Sequence, residues 1–221
     1  MEIWLDTADR SEIERAKEMG LLHGVTTNPS IVAKSKRGLE ELLEELLKIQ
    51  EGPVTAQVTA FDSEAMIKQG QALYDFSNRI YVKVPVNPEG LRTIHALSKR
   101  QIPVMATAVF NPSQVLLAAR AGAQYIAPYF SKICDADRDG IEQLKAMLRL
   151  LSRYQFSSKL IAASLRSGEQ VNECAEIGAH AATLNPEVFA SFVESPAETV
   201  QCLQKFEKDW KTAKACRILP L

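Results

Sequence analysis

The chain has 221 residues, 46% of them hydrophobic and 24% charged, the balance of a globular protein with length for one good-sized domain or two small ones. Its formal net charge is −1, from 26 Lys+Arg against 27 Asp+Glu, which argues against nucleic acid or an anionic membrane as a partner, since both select a basic surplus. No apolar run reaches the roughly 18 residues of a membrane span, and the opening MEIWLDTADR carries acids where a signal peptide carries a basic region. Cys134, Cys174, Cys202 and Cys216 are scattered without a C-x-x-C pair and read as reduced thiols of a cytoplasmic protein, while His23, His95 and His180 show no zinc-ligand spacing.

Short β-type runs alternate with helical runs along the whole chain. EIWLDT from Glu2 is followed by a helix signalled by Asp9 and Glu12 and closed by Gly20. GVTTN from Gly24 precedes a helix in which Leu39, Leu42, Leu43, Leu46 and Leu47 recur at i, i+3, i+4, i+7 and i+8. VTAQVT from Val54 leads to a helix opening near Ser63. IYVKVP from Ile80 and PVMATAV from Pro103 come next, then a helix closed by Gly122. YIAPY from Tyr125 precedes a helix patterned by Ile141, Leu144, Leu148 and Leu151. KLIAAS from Lys159 leads to a helix closed by Gly178, and AATLN from Ala181 is the eighth run. Eight βα units in about 190 residues predict an α/β fold, a (β/α)8 TIM barrel spanning 1–221 as a single domain, with a doubly wound open sheet as the alternative. A further helix, roughly 196–214, carries an apolar stripe of Val200, Leu203, Phe206 and Trp210. It has no place in the ring, so it packs across one end of the barrel or onto another subunit.

Strands of a parallel barrel are covered on both faces and read as nearly continuous apolar runs. Here each is interrupted by polar residues near its C-terminal end. In IYVKVP, Val82 and Val84 share one face, so if they meet the helices Lys83 points inward. The same parity makes Asp6, Thr26, Asn28, Gln57, Lys83, Thr107, Tyr129, Ser164 and Thr183 the inward set. Leu5, Val25, Val58, Val84, Ala108, Ile126, Ile161 and Ala182 become the helix-facing set. The polar cluster falls at the C-terminal mouth, where barrel enzymes keep their chemistry. Each member has a structural alternative: Asp6 as a helix cap, the threonines as ordinary strand residues, Tyr129 as core. Lys83 is the hardest to explain that way, because a lysine between two valines is costly to bury without a partner or a task. A structural ion pair with Asp6 is its alternative.

There is no P-loop, no G-x-G-x-x-G and no G-x-S-x-G elbow, so nucleotide cofactors and serine-hydrolase chemistry have no seat; the expectation is an enzyme with neither cofactor nor metal. A buried lysine loses basicity, and a neutral amine attacks a ketone to form a Schiff base. Making and hydrolysing that imine needs proton transfer through a carboxylate and water, for which Asp6, Gln57, Thr107 and Tyr129 are suitable groups. Ser164 and Arg166 after strand seven, with Lys132 after strand six, form a candidate phosphate seat; solvated loop charges are the alternative.

Several segments together are similar to the small transaldolase family: Leu5-Asp6-Thr7-Ala8, Gly24-Val25-Thr26-Thr27-Asn28-Pro29-Ser30, Val82-Lys83-Val84-Pro85 with Glu89-Gly90-Leu91, Ala127-Pro128-Tyr129, Ala162-Ala163-Ser164, and the closing Phe206-Glu207 with Asp209-Trp210. The likeness runs essentially from end to end. It implies two candidate activities: transfer of a dihydroxyacetone unit between sugar phosphates, or its release from fructose 6-phosphate as free dihydroxyacetone with glyceraldehyde 3-phosphate. It implies Lys83 as the Schiff-base residue, Asp6 as general acid/base, Asn28 on the dihydroxyacetone hydroxyls, and Thr107 on the catalytic water; Thr26, of the inward set, is a further candidate for the substrate. Family transaldolases tend to carry Glu at the position of Gln57 and Phe at that of Tyr129, so the Gln and Tyr pair resembles the aldolase subgroup. The departures are Lys132 where the phosphate site is expected to hold Arg, Asn185-Pro186, and the loop from Cys134 to Asp139. The resemblance also implies a homo-oligomer of five or ten subunits. A non-catalytic sugar-phosphate binder on the same barrel is the alternative from another class.

Overall fold

A computed structural model describes residues 1–212; Cys216 and the last two positions of the helix expected at 196–214 lie outside them. Eight parallel strands close in chain order, β1 (Glu2–Asp6), β2 (Leu22–Thr26), β3 (Val54–Gln57), β4 (Ile80–Pro85), β5 (Val104–Val109), β6 (Tyr125–Pro128), β7 (Lys159–Ala162) and β8 (Ala181–Leu184), with β8 pairing back onto β1. The fold is a (β/α)8 barrel, as expected. Among the described residues the helices are α1 (Arg10–Glu18), α2 (Pro29–Ser35), α3 (Leu39–Ile49), α4 (Ser63–Phe76), α5 (Pro88–Lys99), α6 (Pro112–Ala121), α7 (Phe130–Asp135), α8 (Gly140–Arg153), α9 (Gly168–Glu176), α10 (Pro186–Phe192) and α11 (Ala197–Thr212).

Two apolar layers hold the barrel. Leu5, Val25, Val54, Val82, Val84, Ile126, Leu160 and Ala182 face outward and are buried against the helix ring, which contributes Leu42 and Leu46 of α3, Ile94 and Leu97 of α5, and Leu144 and Met147 of α8. Trp4, Met105, Tyr125, Ala127, Ile161, Ala163 and Ala181 fill the interior, with Tyr81 and Tyr129 packed against them. The N-terminal end of the barrel is plugged by aromatic edges, Trp4 to Tyr125 at 5.2 Å and Tyr81 to Tyr125 at 5.6 Å. Across that floor, Glu2 accepts from the Tyr125 hydroxyl at 2.7 Å, pairs with Lys159 of β7, and lies 3.6 Å from His23 of β2.

A repeated dipeptide turns strand into helix at the opposite, C-terminal end. Asn28-Pro29, Asn87-Pro88, Asn111-Pro112 and Asn185-Pro186 each place Asn at the N-cap, its side chain accepting from backbone N–H groups of the first turn, and Pro in that turn, where no intrahelical donor is lost. One glycine allows a close approach here: a Cβ on Gly90 would lie 1.8 Å from the Pro85 carbonyl oxygen, so only glycine lets α5 pack directly on the end of β4.

The parity rule fails at two strand ends. Ile161 faces the interior and Leu160 and Ala162 face the helices, because Ser164, from which the alternation was counted, has φ 61° and breaks the pleat. Ala108 lies in a bulge with φ 56°, and Val109 takes the helix-facing place. Asp62, one residue before Ser63, is the cap of α4. Gly20, Gly122 and Gly178 all adopt the left-handed conformation expected after helices, with φ of 69°, 104° and 84°.

Candidate active site

Lys83 projects from β4 into the interior because Val82 and Val84 take the outward positions. It is 5% exposed, and its Nζ donates to the Thr27 carbonyl oxygen at 3.0 Å. That carbonyl is held in place by Thr55: the Thr27 N–H donates to the Thr55 hydroxyl at 2.9 Å, and the Thr27 hydroxyl to the Thr55 carbonyl at 2.6 Å. Burial pushes the Lys83 amine below its ordinary value of 10.5, and the charge of Asp6 opposes this in part. Burial outweighs the opposing charge, so Lys83 is a weaker base than a solvated lysine.

Asp6 ends β1, half-buried, and accepts from the Thr26 hydroxyl at 2.7 Å. Thr26 is fully buried, and its hydroxyl also lies 2.6 Å from that of Thr183 on β8. Thr26, expected on the substrate, has its side chain committed to these two partners. Gln57 stands level with Lys83 in the β3–β4 pairing, and its amide makes no hydrogen bond among the described residues. It borders a cavity of about 290 Å³ with Pro29, Val58, Pro85 and Asn87. A larger cavity of about 750 Å³ reaches Asp6 from between α1, α2 and α10, with Arg10, Lys34 and Arg37 on its wall.

Thr107 and Tyr129 meet hydroxyl to hydroxyl at 2.9 Å. The end of β5 that carries Thr107 is pinned by Gln114 of α6, which accepts from the Phe110 N–H at 2.8 Å and donates to the Val86 and Ala108 carbonyls at 3.1 Å. This clamp supports the left-handed backbone of Ala108. The Tyr129 ring packs edge-on against Phe110 at 5.5 Å, and Lys132 Nζ lies 5.0 Å from its centroid. Asn28 spends its Oδ1 capping α2, on the N–H groups of Ser30 and Ile31, both at 3.0 Å.

The candidate phosphate residues are only partly assembled. Ser164 lies two residues beyond β7, half-buried, with its hydroxyl uncommitted among the described residues. Arg166 lies in the loop ahead of α9, whose cap is Ser167, and not in the helix. Its guanidinium is occupied by both carboxylate oxygens of Asp135, at the end of α7. The Arg166 hydrogen bond holds the Asp135 carboxyl below the usual carboxylate range. Sequence reasoning missed Asp135 and Gln114. The only signal for Asp135 was an acid in the loop between two candidate cations; for Gln114 there was none. Thr183 reads as inward from strand parity, which gives it no task.

At one mouth stand a buried amine of lowered basicity, a half-buried carboxylate that accepts from Thr26, and two paired hydroxyls that can hold a water. That defines a class of barrel enzyme site able to form and hydrolyse imines. Comparison with known proteins narrows the class. The family model described as Transaldolase/Fructose-6-phosphate aldolase matches residues 3–218. Among curated relatives, the probable transaldolase of Anaeromyxobacter dehalogenans is 39% identical over 98% of this chain and 100% of its own, and that of Syntrophomonas wolfei is 38% identical over 96% and 100%. The probable transaldolase of Aquifex aeolicus is 37% identical over 96% of this chain and 97% of its own. Among solved structures, mandelate oxidase with (S)-2-phenylpropionate aligns with a TM-score of 0.60 over 92% of this chain and 70% of that one. At 16% identity that likeness shows the barrel fold alone. The chain belongs to the transaldolase/fructose-6-phosphate aldolase family, and it is an enzyme of the kind that acts on sugar phosphates. No helix among the described residues is long and apolar enough to cross a membrane.

Proposed function

We propose that the chain is a class I aldolase that cleaves or forms fructose 6-phosphate by way of a Schiff base on Lys83. The observation that carries the reading is the buried Lys83 amine, which burial biases to its neutral, nucleophilic form. The amine nitrogen bonds to the ketone carbon, and the carbonyl oxygen takes up protons and leaves as water, with Asp6 moving the protons. Asp6 takes the proton of the hydroxyl on the β-carbon, the bond between the α- and β-carbons breaks, its electron pair passes into the iminium to give an enamine, and the β-carbon departs as the aldehyde. Protonation of the remaining carbon and attack by water on the iminium return free dihydroxyacetone and Lys83. Thr107 and Tyr129, joined at 2.9 Å, hold that water, and Gln57, level with Lys83 on the adjoining strand, faces the same mouth. Asn28 offers its free amide N–H to the donor hydroxyls. Ser164, Arg166 and Lys132 receive the phosphate.

Transaldolase activity is the second reading, favoured by the name carried by relatives at 37–39% identity. It uses the same Lys83 and Asp6 and differs only in what releases the dihydroxyacetone unit. Borohydride reduction with dihydroxyacetone, followed by mass mapping, tests the shared chemistry: label on Lys83 is expected, and label on Lys132 or Lys159 overturns it. Incubation with fructose 6-phosphate alone separates the readings, since only the aldolase releases free dihydroxyacetone. We also infer a cytoplasmic homo-oligomer. α11 buries none of its side chains and exposes Val200, Leu203 and Phe206 along one stripe, a face suited to a second copy of the chain.

A further inference from the structure

We propose that Thr183, on β8, is a positioning residue for Asp6 that acts through the hydroxyl of Thr26; the inference rests on Asp6 being the acid/base group of the preceding reading. The strand pairing sets up the contact. Thr26 is level with Asp6 in the β1–β2 ladder, and Thr183 is level with Trp4 in the β1–β8 ladder. The hydroxyls of β2 and β8 therefore meet over the inward face of β1, just below the carboxylate, 2.6 Å apart.

Proton counting gives the chain a direction. A threonine hydroxyl has one proton to donate and lone pairs to accept with. The Thr26 hydroxyl donates that one proton to Asp6 Oδ1 across 2.7 Å. The contact between the two threonines must then be donated by Thr183. The order is Thr183 to Thr26 to Asp6. Thr26 is 0% and Thr183 5% exposed, so bulk water does not stand in for either hydroxyl. Successive hydrogen bonds in such a buried chain polarise one another. Thr183 thus sharpens the bond that Thr26 makes and keeps the Thr26 rotor turned toward the carboxylate. Without it, Thr26 is free to turn away, and Asp6 loses a fixed orientation in the steps where it moves a proton. Substrate binding, which Thr183 does not touch, is spared.

Two variants separate hydroxyl from shape. Thr183→Val keeps the volume and loses the hydroxyl; Thr183→Ser keeps the hydroxyl and loses the methyl. On fructose 6-phosphate, Thr183→Val should lower kcat by about twofold to tenfold, the size of one lost hydrogen bond, with KM unchanged. Thr183→Ser should keep the parent kcat. Thermal midpoints check that both variants fold, and Thr183→Ala replaces the valine variant if that one does not. Added to Asp6→Asn, Thr183→Val should lower the residual kcat no further, because the relay has lost its endpoint. Parent-like kcat in Thr183→Val, or equal loss in the serine variant, overturns the proposal and makes Thr183 a packing residue. Asp6→Asn with parent kcat would instead sink the acid/base reading of Asp6 itself.

Discussion

Replacing Tyr129 by Phe removes one oxygen at the place where aldolase and transaldolase readings diverge. The ring stays, so its edge contact with Phe110 at 5.5 Å and its position under Lys132 survive. What is lost is the 2.9 Å hydrogen bond to Thr107. As a stability change this is one half-buried neutral hydrogen bond, about 0.5–1.5 kcal/mol, or roughly 1–6 °C in Tm for a chain of this size. As a kinetic change it is far larger if the phenol positions the water that hydrolyses the imine. Loss of one positioned proton-transfer contact costs about 10²–10⁴-fold, equivalent to about 3–5 kcal/mol in the barrier. The gap between the two magnitudes makes the variant informative. Release of dihydroxyacetone from fructose 6-phosphate should fall steeply while transfer to added erythrose 4-phosphate is kept or rises, and the borohydride-trapped Lys83 adduct should accumulate. Release at the parent rate would refute the reasoning and leave the Gln57 and Tyr129 pair without diagnostic value.

Lys83→Met should abolish cleavage and synthesis yet raise Tm at pH 7. Folding depresses the lysine below its ordinary 10.5, so the unfolded chain binds the extra proton and the parent protein gains stability only as pH climbs toward that value; a methionine variant no more stable than the parent would contradict the burial argument. Asp135→Asn should lower KM for glyceraldehyde 3-phosphate several-fold and leave unphosphorylated glyceraldehyde unaffected, because phosphate must otherwise displace Asp135 from Arg166. Arg166→Ala should do the reverse, and equal effects on both aldehydes would place the phosphate elsewhere. At the barrel floor, burial raises the Glu2 carboxyl, but bonds from Lys159 and Tyr125 and the charge of His23 overcome it and leave it below its ordinary 4.5. The stability it confers is therefore complete above that value and lost as pH falls through and below it. The Tm difference between parent and Glu2→Gln should be widest near neutrality and close in acid; a difference independent of pH would refute the assignment.

How much of this could be read from residues depended on the range of the interaction involved. The barrel was legible because strand and helix patterns are local, repeat eight times, and are punctuated by Gly20, Gly122 and Gly178 in the left-handed positions they were expected to fill. Lys83 was legible because one parity count between Val82 and Val84 fixes its direction. That count holds only while the backbone stays pleated, which is why it fails at Ala108, whose own φ is 56°, and at Ile161, counted back from Ser164 with φ 61°. A bulge leaves no mark in a single sequence when the residue in it is alanine and the group that holds it, Gln114, comes from the following helix.

The harder limit is pairing between residues far apart in the chain. Composition marks Arg166 as a cation near a strand end, but not that Asp135, 31 residues earlier, already occupies it. Parity marks Thr26 and Thr183 as inward, but not that 157 residues of chain close into a ring that brings their hydroxyls together. Both facts bear on function more than on fold. A free Arg166 would be a ready phosphate seat, whereas a paired one makes phosphate compete with a carboxylate already in place. An exposed Thr26 would be a substrate contact, whereas a buried one between Asp6 and Thr183 makes Asp6, the acid/base group we propose, part of a chain across three neighbouring strands, β8, β1 and β2. Closure of the barrel is thus a condition of the chemistry as well as of the fold. β1 brings the carboxylate, its two neighbours bring the hydroxyls that hold it, and only the β8–β1 pairing, the last made in chain order, completes the set.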